Sequence, residues 1–149
     1  MDQIKTVSLI ETPFDLKDRE VMCYPYFITA IQVAMPRPFL KPRLAYTVVT
    51  TDLVKGIPAR ANMFPETTEI EIDSTALVPS LLSREEATKK ARKLALKWAM
   101  YKFHLFRTPK IDIVKVEEAY KAFFFAEINK ERILVDSVKG LEDVKLTKK

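Results

Sequence analysis

The stretch Ser83–Leu105, SREEATKKARKLALKWAMYKFHL, decides how the rest of the chain is arranged. Ser83 stands three residues before Glu86, the spacing of a capping box in which the serine side chain satisfies a free backbone N–H at the helix start. Behind it, Ala87, Ala91, Leu94, Ala95, Trp98, Tyr101 and Leu105 recur at helical spacing and fall on one face. The pattern predicts a helix over residues 84–105, ending before Pro109, which cannot continue it. The leading alanines allow close approach to a sheet, and Trp98 and Tyr101 fill space further along. Lys89, Lys90, Lys93 and Lys97 lie on the opposite side, with Arg92 at the flank. Leu96, Met100 and Phe103 fit neither group and form a second, smaller apolar strip, to be covered by another segment or by a partner.

On both sides of this helix the residues are of β type. Val21–Ala34, VMCYPYFITAIQVA, is β-branched and aromatic, and Pro25 within it predicts an edge position or a bulge. The proline-rich loop Met35–Arg43, MPRPFLKPR, leads to the returning run Leu44–Thr51, LAYTVVTT. Later, Ile111–Val116 resumes β structure and Tyr120–Ile128, YKAFFFAEI, continues it. A polar turn at Asn129–Arg132 then brings Ile133–Val135 back. Both returning runs end on nearly the same phrase, DLVKG at Asp52–Gly56 and DSVKG at Asp136–Gly140, which together hold the only two glycines of the chain.

An aspartate accepts backbone hydrogen bonds as a turn opens, and a glycine adopts the positive φ that closes it. Asp52, Gly56, Asp136 and Gly140 therefore read as turn residues, not as a phosphate cradle. Upstream, Tyr24–Ala30 can be laid against Tyr120–Ala126, matching the first Tyr, a Phe and the final Ala. Residues 21–56 and 111–140 are thus two related hairpin units. Neither hairpin alone can bury its aromatic side, whereas two sharing one face against the helix can. Glu69–Asp73, EIEID, alternates with the period of a half-exposed strand, and its acids suit a sheet edge. The expected fold is α+β in a single domain, residues 1–149. An antiparallel sheet of two related β-hairpins plus edge strands packs against one long helix.

Leu82–Ala87, LSREEA, opening a helix, and a later strand pair ending at Val135–Gly140, VDSVKG, resemble the PepSY-type domain pattern over residues 81–142. In that family an S-x-E-E-A helix precedes a hairpin ending in an Asp-x-x-Thr-Gly-like turn. Here Lys55 and Lys139 stand where the family usually has threonine. The resemblance implies the same helix-and-hairpin fold. It also implies a role in binding or restraining partners, as in a family often secreted or membrane-linked and sometimes found beside peptidases. The matching residues are structural, so it implies no catalytic residue.

Composition narrows the function classes. The chain has 149 residues, 48% apolar and 30% charged, a globular balance sufficient for one core. Its net charge of +5 is uneven: residues 1–75 carry 8 Lys/Arg against 10 Asp/Glu, and residues 76–149 carry 17 against 10. A basic excess of this size attracts nucleic acid or an anionic surface, or simply solubilises. A single cysteine and a single histidine leave no internal disulfide and no thiolate or imidazole metal cluster, and no cofactor is expected. Cys23 reads as a small buried hydrophobe and His104 as a helix-end residue, with nothing in their spacing to unite them as nucleophile and base. Glu69, Glu71 and Asp73 read as a solvent-facing edge, not a cation site. Glu117 and Glu118 are adjacent and point to opposite faces of a regular strand. No apolar run approaches the ~20 residues of a membrane helix, and the first ten residues lack a secretory pattern. A cytoplasmic location is expected unless a signal or anchor has been removed.

The leading functional expectation is a non-enzymatic protein-interaction or assembly module that engages a protein partner or a second copy through Leu96, Met100 and Phe103. A nucleic-acid-binding accessory protein is the alternative. It would use Lys89, Lys90, Arg92, Lys93 and Lys97 on phosphates, with Arg37, Lys41 and Arg43 as a further patch and Phe123–Phe125 as a stacking platform. A third possibility is a small-ligand protein or unrecognised enzyme, with a pocket lined by Tyr24, Tyr26, Tyr46 and Tyr120.

Overall fold

A computed structural model describes residues 3–12 and 20–137. The elements in order are β1 (Ile4–Ile10), β2 (Val21–Arg37), β3 (Leu40–Asp52), β4 (Pro58–Ala61), β5 (Thr67–Asp73), α1 (Arg84–Phe103), β6 (Lys110–Ile128) and β7 (Glu131–Asp136). A short 3₁₀ turn, Ser74–Ala76, follows β5. The fold is α+β: a seven-stranded sheet in the order β4-β3-β2-β6-β1-β5, with β7 added to β6, and one long helix packed against the strands. The two long hairpins, β2–β3 and β6–β7, are antiparallel, as are β3–β4 and β1–β5.

The sheet differs from the expected one in three ways. It is mixed, because β1 pairs with β6 in parallel at Leu9 and Tyr120. β2 is an interior strand between β3 and β6 despite Pro25. Pro25 lies just before the β3-paired stretch, which begins at Tyr26, so its missing N–H removes no bond from that ladder. The irregularity in β2 comes instead at its far end, where the register shifts between Met35 and Arg37. The third difference is β4, a short edge strand starting at Pro58, for which the sequence gives no alternating pattern. At the opposite edge stands β5, with Glu69 and Glu71 exposed.

The sequence reads as one domain; the backbone contacts group into two compact units. One contains Tyr26–Phe64 and Leu81–Glu118, and is called here the helical unit. The other comprises the described residues up to Pro25, Pro65–Ser80 and those from Ala119 onward.

In the helical unit, Ile31, Val33 and Met35 of β2 and Val49 of β3 meet Ala91, Ala95 and Ala99 of α1. Ala45, Leu94, Trp98, Phe103, Leu105, Ile111 and Ile113 close the margins. The buried line of α1 is the alanine series Ala87, Ala91, Ala95, Ala99, whose small side chains let the helix lie close to the strands. Tyr101, expected on this face, is 85% exposed, and Ala99 takes the buried place. Steps of four residues drift slowly round a 3.6-residue helix, so the alanine ridge alone satisfies the contact. The helix starts as its cap predicts, Ser83 Oγ accepting from Glu86 N–H at 3.2 Å. It ends at Phe103, not Leu105, because His104 adopts the left-handed conformation (φ 50°, ψ 51°). Leu105 still packs into the core from the following loop.

In the second unit, Leu9, Cys23 and Ala122 form the buried centre, flanked by Val21, Ile70, Ile72, Leu77 and Tyr120. Phe124 and Val135, partners across the β6–β7 ladder, are also buried. That hairpin closes through Asn129 and Lys130, both with positive φ, the geometry whose twist suits a two-residue hairpin turn.

Candidate docking surface

The outer side of α1 carries a shallow, open depression of about 810 Å³, lined by Arg60, Leu94, Leu96, Lys97, Trp98, Met100 and Tyr101. Leu96 and Met100, one helical turn apart, are half-buried here, while the Tyr101 ring stands clear of the surface. Arg60, from β4, anchors the rim. Its guanidinium lies 4.9 Å from the centre of the Trp98 ring and donates to Thr47 Oγ1 at 3.4 Å. Phe103 takes a different position from Leu96 and Met100. It packs edge-on to Trp98 at 5.8 Å, joins the alanine core and lies under the Arg43 guanidinium at 4.9 Å. Tyr101 is the site residue the sequence reading misplaces. The signal for it was present: four alanines at i, i+4 spacing already complete a buried face, which frees the larger residues beside them.

Lys89, Lys90, Lys93 and Lys97 are all exposed. A smaller hollow lined by Pro58, Lys90, Lys93, Leu94 and Lys97 adjoins the depression and shares Leu94 and Lys97 with it. The apolar strip and the lysine row therefore form one continuous surface. Arg92 is exposed but engaged, donating to the Ile111 carbonyl at 2.8 Å. Residues 26–64 and 81–118, the helical unit, hold 15 Lys/Arg against 6 Asp/Glu, a net of +9; the remainder holds 10 against 14, a net of −4.

Of the doubled phrase, the first copy lies wholly among the described residues and the second only as far as Ser137. Asp52 Oδ1 accepts from the N–H groups of Val54 (2.7 Å) and Lys55 (3.1 Å), Gly56 N–H donates to the Asp52 carbonyl, and Gly56 has φ 73°. Leu53, at the centre of this turn, is buried with Phe27 and Ala87, and its carbonyl accepts from Leu81 and Leu82 N–H, fixing the approach to α1. Asp136 forms an ion pair with Lys121 at 2.6 Å. Ser137 N–H donates to Ala122, and the Ser137 carbonyl accepts from Thr12 Oγ1. Gly140 lies outside the described residues.

The remaining candidates take structural positions. Cys23 is fully buried, and burial pushes its thiol up to about 11, far from a reactive thiolate. His104 is exposed at the helix end. Arg84 donates to Glu118 at 2.7 Å, and that hydrogen bond holds the Glu118 carboxyl below its ordinary range and raises the arginine. Asp73 accepts from Thr75 N–H and Oγ1 at 2.9 Å, capping the 3₁₀ turn. Among the described residues no group of three or more His, Cys, Asp or Glu is placed to hold a metal ion. Tyr24 packs edge-on to Phe123, Tyr46 donates to Gln32 Oε1, and Tyr120 packs beside Leu9 and Cys23. Of the three consecutive phenylalanines, Phe124 is buried and Phe125 lies under the Arg132 guanidinium at 4.1 Å. Among the described residues no helix is long and apolar enough to cross a membrane. No protein-family model, no curated protein and no solved structure matches the chain.

Proposed function

We propose that this chain is a non-enzymatic protein-interaction module that docks an acidic, apolar-sided segment of another protein on the outer face of α1. The observation that carries the reading is the depression itself, with Leu94, Leu96, Trp98 and Met100 forming an apolar floor and Arg60, Lys97 and Tyr101 at its rim. Trp, Tyr and Arg are the residue types that most often dominate binding energy, and an apolar centre inside a polar rim is the usual anatomy of an interface. Charge selects the partner: from Ala87 to Ile111 the chain has eight Lys/Arg and no Asp or Glu. Acidic flanks on the incoming segment would speed encounter and fix register. The PepSY-type resemblance of residues 81–142, and that family's role in binding or restraining partners, supports the same direction. A cytoplasmic setting completes the proposal.

Trp98 is the only tryptophan and lines the depression, so its fluorescence reports occupancy directly. A synthetic amphipathic Leu/Glu helix peptide is expected to shift Trp98 emission saturably, and the Leu/Lys counterpart is not. The double substitution Leu96→Glu, Met100→Glu should weaken the response about tenfold or more, as truncation of interface anchors does. Equal response to both peptides, or binding that survives the double substitution, overturns the proposal. A concentration-dependent mass in light scattering that the same substitutions abolish would assign the surface to a second copy instead.

A second reading has one observation in its favour, the exposed row Lys89, Lys90, Lys93 and Lys97. It would grip nucleic-acid phosphates without reading bases. A single-stranded oligonucleotide in the same titration tests it: binding should fall steeply with salt and with Lys→Glu changes in that row.

A further inference from the structure

The β2–β3 turn places a phenylalanine where the backbone disfavours one. Arg37 pairs with Leu40, so Pro38 and Phe39 make a two-residue turn, and Phe39 sits at φ 60°. Left-handed backbone suits glycine or asparagine, and a bulky residue there costs free energy. The ring offers no packing in return, since Phe39 is fully exposed at 106% and Leu40 beside it is 64% exposed. Phe106, in the loop after α1, is equally bare at 104%.

Both loops leave from the same end of the helical unit. Arg43 pairs with Met35 just before the hairpin turn, and its guanidinium covers the ring of Phe103, three residues before Phe106. The chain around them is uniformly basic: Arg37, Lys41, Arg43, Lys102, Arg107 and Lys110, with no Asp or Glu in residues 21–51 or 87–111. Pro38 in the hairpin turn and Pro109 in the loop after α1 restrict the backbone of the two loops.

We infer that this end of the helical unit docks on an anionic lipid surface, Phe39, Leu40 and Phe106 entering the headgroup–acyl boundary while the surrounding Lys and Arg side chains bind the headgroups. Apolar side chains beside a basic patch are the two signals that together give stable interfacial binding, and each cation near an anionic leaflet adds attraction within a Debye length. Residues 36–43 contain no Asn, Gln, Ser or Thr to meet base edges, and the rings stand at turn tips, not along a groove. Those features favour lipid over nucleic acid. The surface is distinct from the α1 depression, and the inference does not depend on the proposed docking there.

The test is co-sedimentation of the full chain with phosphatidylcholine vesicles prepared with and without phosphatidylglycerol. Binding is expected only with phosphatidylglycerol and should weaken with salt. Phe39→Ser with Phe106→Ser should reduce it about tenfold or more, as two lost insertions require. The variant should melt no lower than the parent, because both rings are exposed, while Leu96→Ser, Met100→Ser, which changes no charge, should bind vesicles unchanged. Absence of binding overturns the inference. So does binding that the double Ser variant retains, which would mean adsorption through charge alone. Displacement from vesicles by a single-stranded oligonucleotide, with oligonucleotide binding lost in the same Phe variant, would reassign the surface to nucleic acid.

Discussion

Gly56 and Phe39 both hold left-handed backbone, yet only Gly56 does so without a side-chain penalty. Replacing each tests the same physics in opposite directions. Phe39→Gly should raise stability by about 1 kcal/mol, seen as a higher urea midpoint with unchanged slope. Gly56→Ala should lower it by about 1 kcal/mol, through backbone strain alone. A Cβ at Gly56 would meet carbons of Lys90 and Leu82 at ordinary distances of 3.6 and 3.7 Å. The Asp52–Gly56 turn could be read from sequence because its bonds are local, an aspartate oxygen on the next N–H groups. The strain at Phe39 could not, since nothing in Arg37–Lys41 says which residue turns left-handed. Cys23 yields a second prediction at this scale. Its folded pKa stands above the unfolded value, so the stability it contributes is complete below about pH 9 and declines as pH rises towards about 11. Iodoacetamide should label Cys23 slowly in the native protein and rapidly in urea, and Cys23→Ala should flatten the alkaline decline.

At the scale of elements, α1 was the most legible part of the chain and still moved in detail. Its start was readable because Ser83 and Glu86 state a cap; its end was not, because His104 stops the helix by conformation and not by chemistry. Its buried side was half readable. Alanine spacing identifies Ala87, Ala91 and Ala95, but hydrophobicity alone overvalues Tyr101 against Ala99. The alanine ridge fixes the approach of helix to strands, so Ala95→Leu should cost about 1–3 kcal/mol by overpacking, measurable by thermal or urea unfolding. The Arg84–Glu118 pair makes a smaller, pH-dependent contribution, screened by solvent. Because Glu118 is lowered in the folded state, that contribution is present above its ordinary value near 4.5 and is lost as pH falls through the folded value. Glu118→Gln should lessen the loss of stability on acidification and leave the alkaline side unchanged.

For the molecule as a whole, the charge pattern was visible in outline but not in its true division. The sequence halves differ by sign; regrouped by contact, residues 26–64 and 81–118 concentrate a net of +9. That concentration is invisible along the chain because each unit is gathered from separate segments. The parallel meeting of Leu9 with Tyr120 was likewise unreadable, since no local pattern names a partner so far away. The depression on α1 was partly legible, in that Leu96 and Met100 stand apart from the main helix face, but Arg60 reaches it only by way of β4.

The same pairing has a consequence in time. On a ribosome adding roughly 5–20 residues per second, about 5–20 s pass between the synthesis of Leu9 and that of Tyr120. β1 can meet β5 earlier, but its β6 side must wait, while every residue of the helical unit has been made once Glu118 is added. Nascent chains arrested at increasing lengths should therefore gain protease resistance first in Tyr26–Phe64 and Leu81–Glu118, with β1 protected later. β1, made long before β6, would be among the last of these strands to find its place.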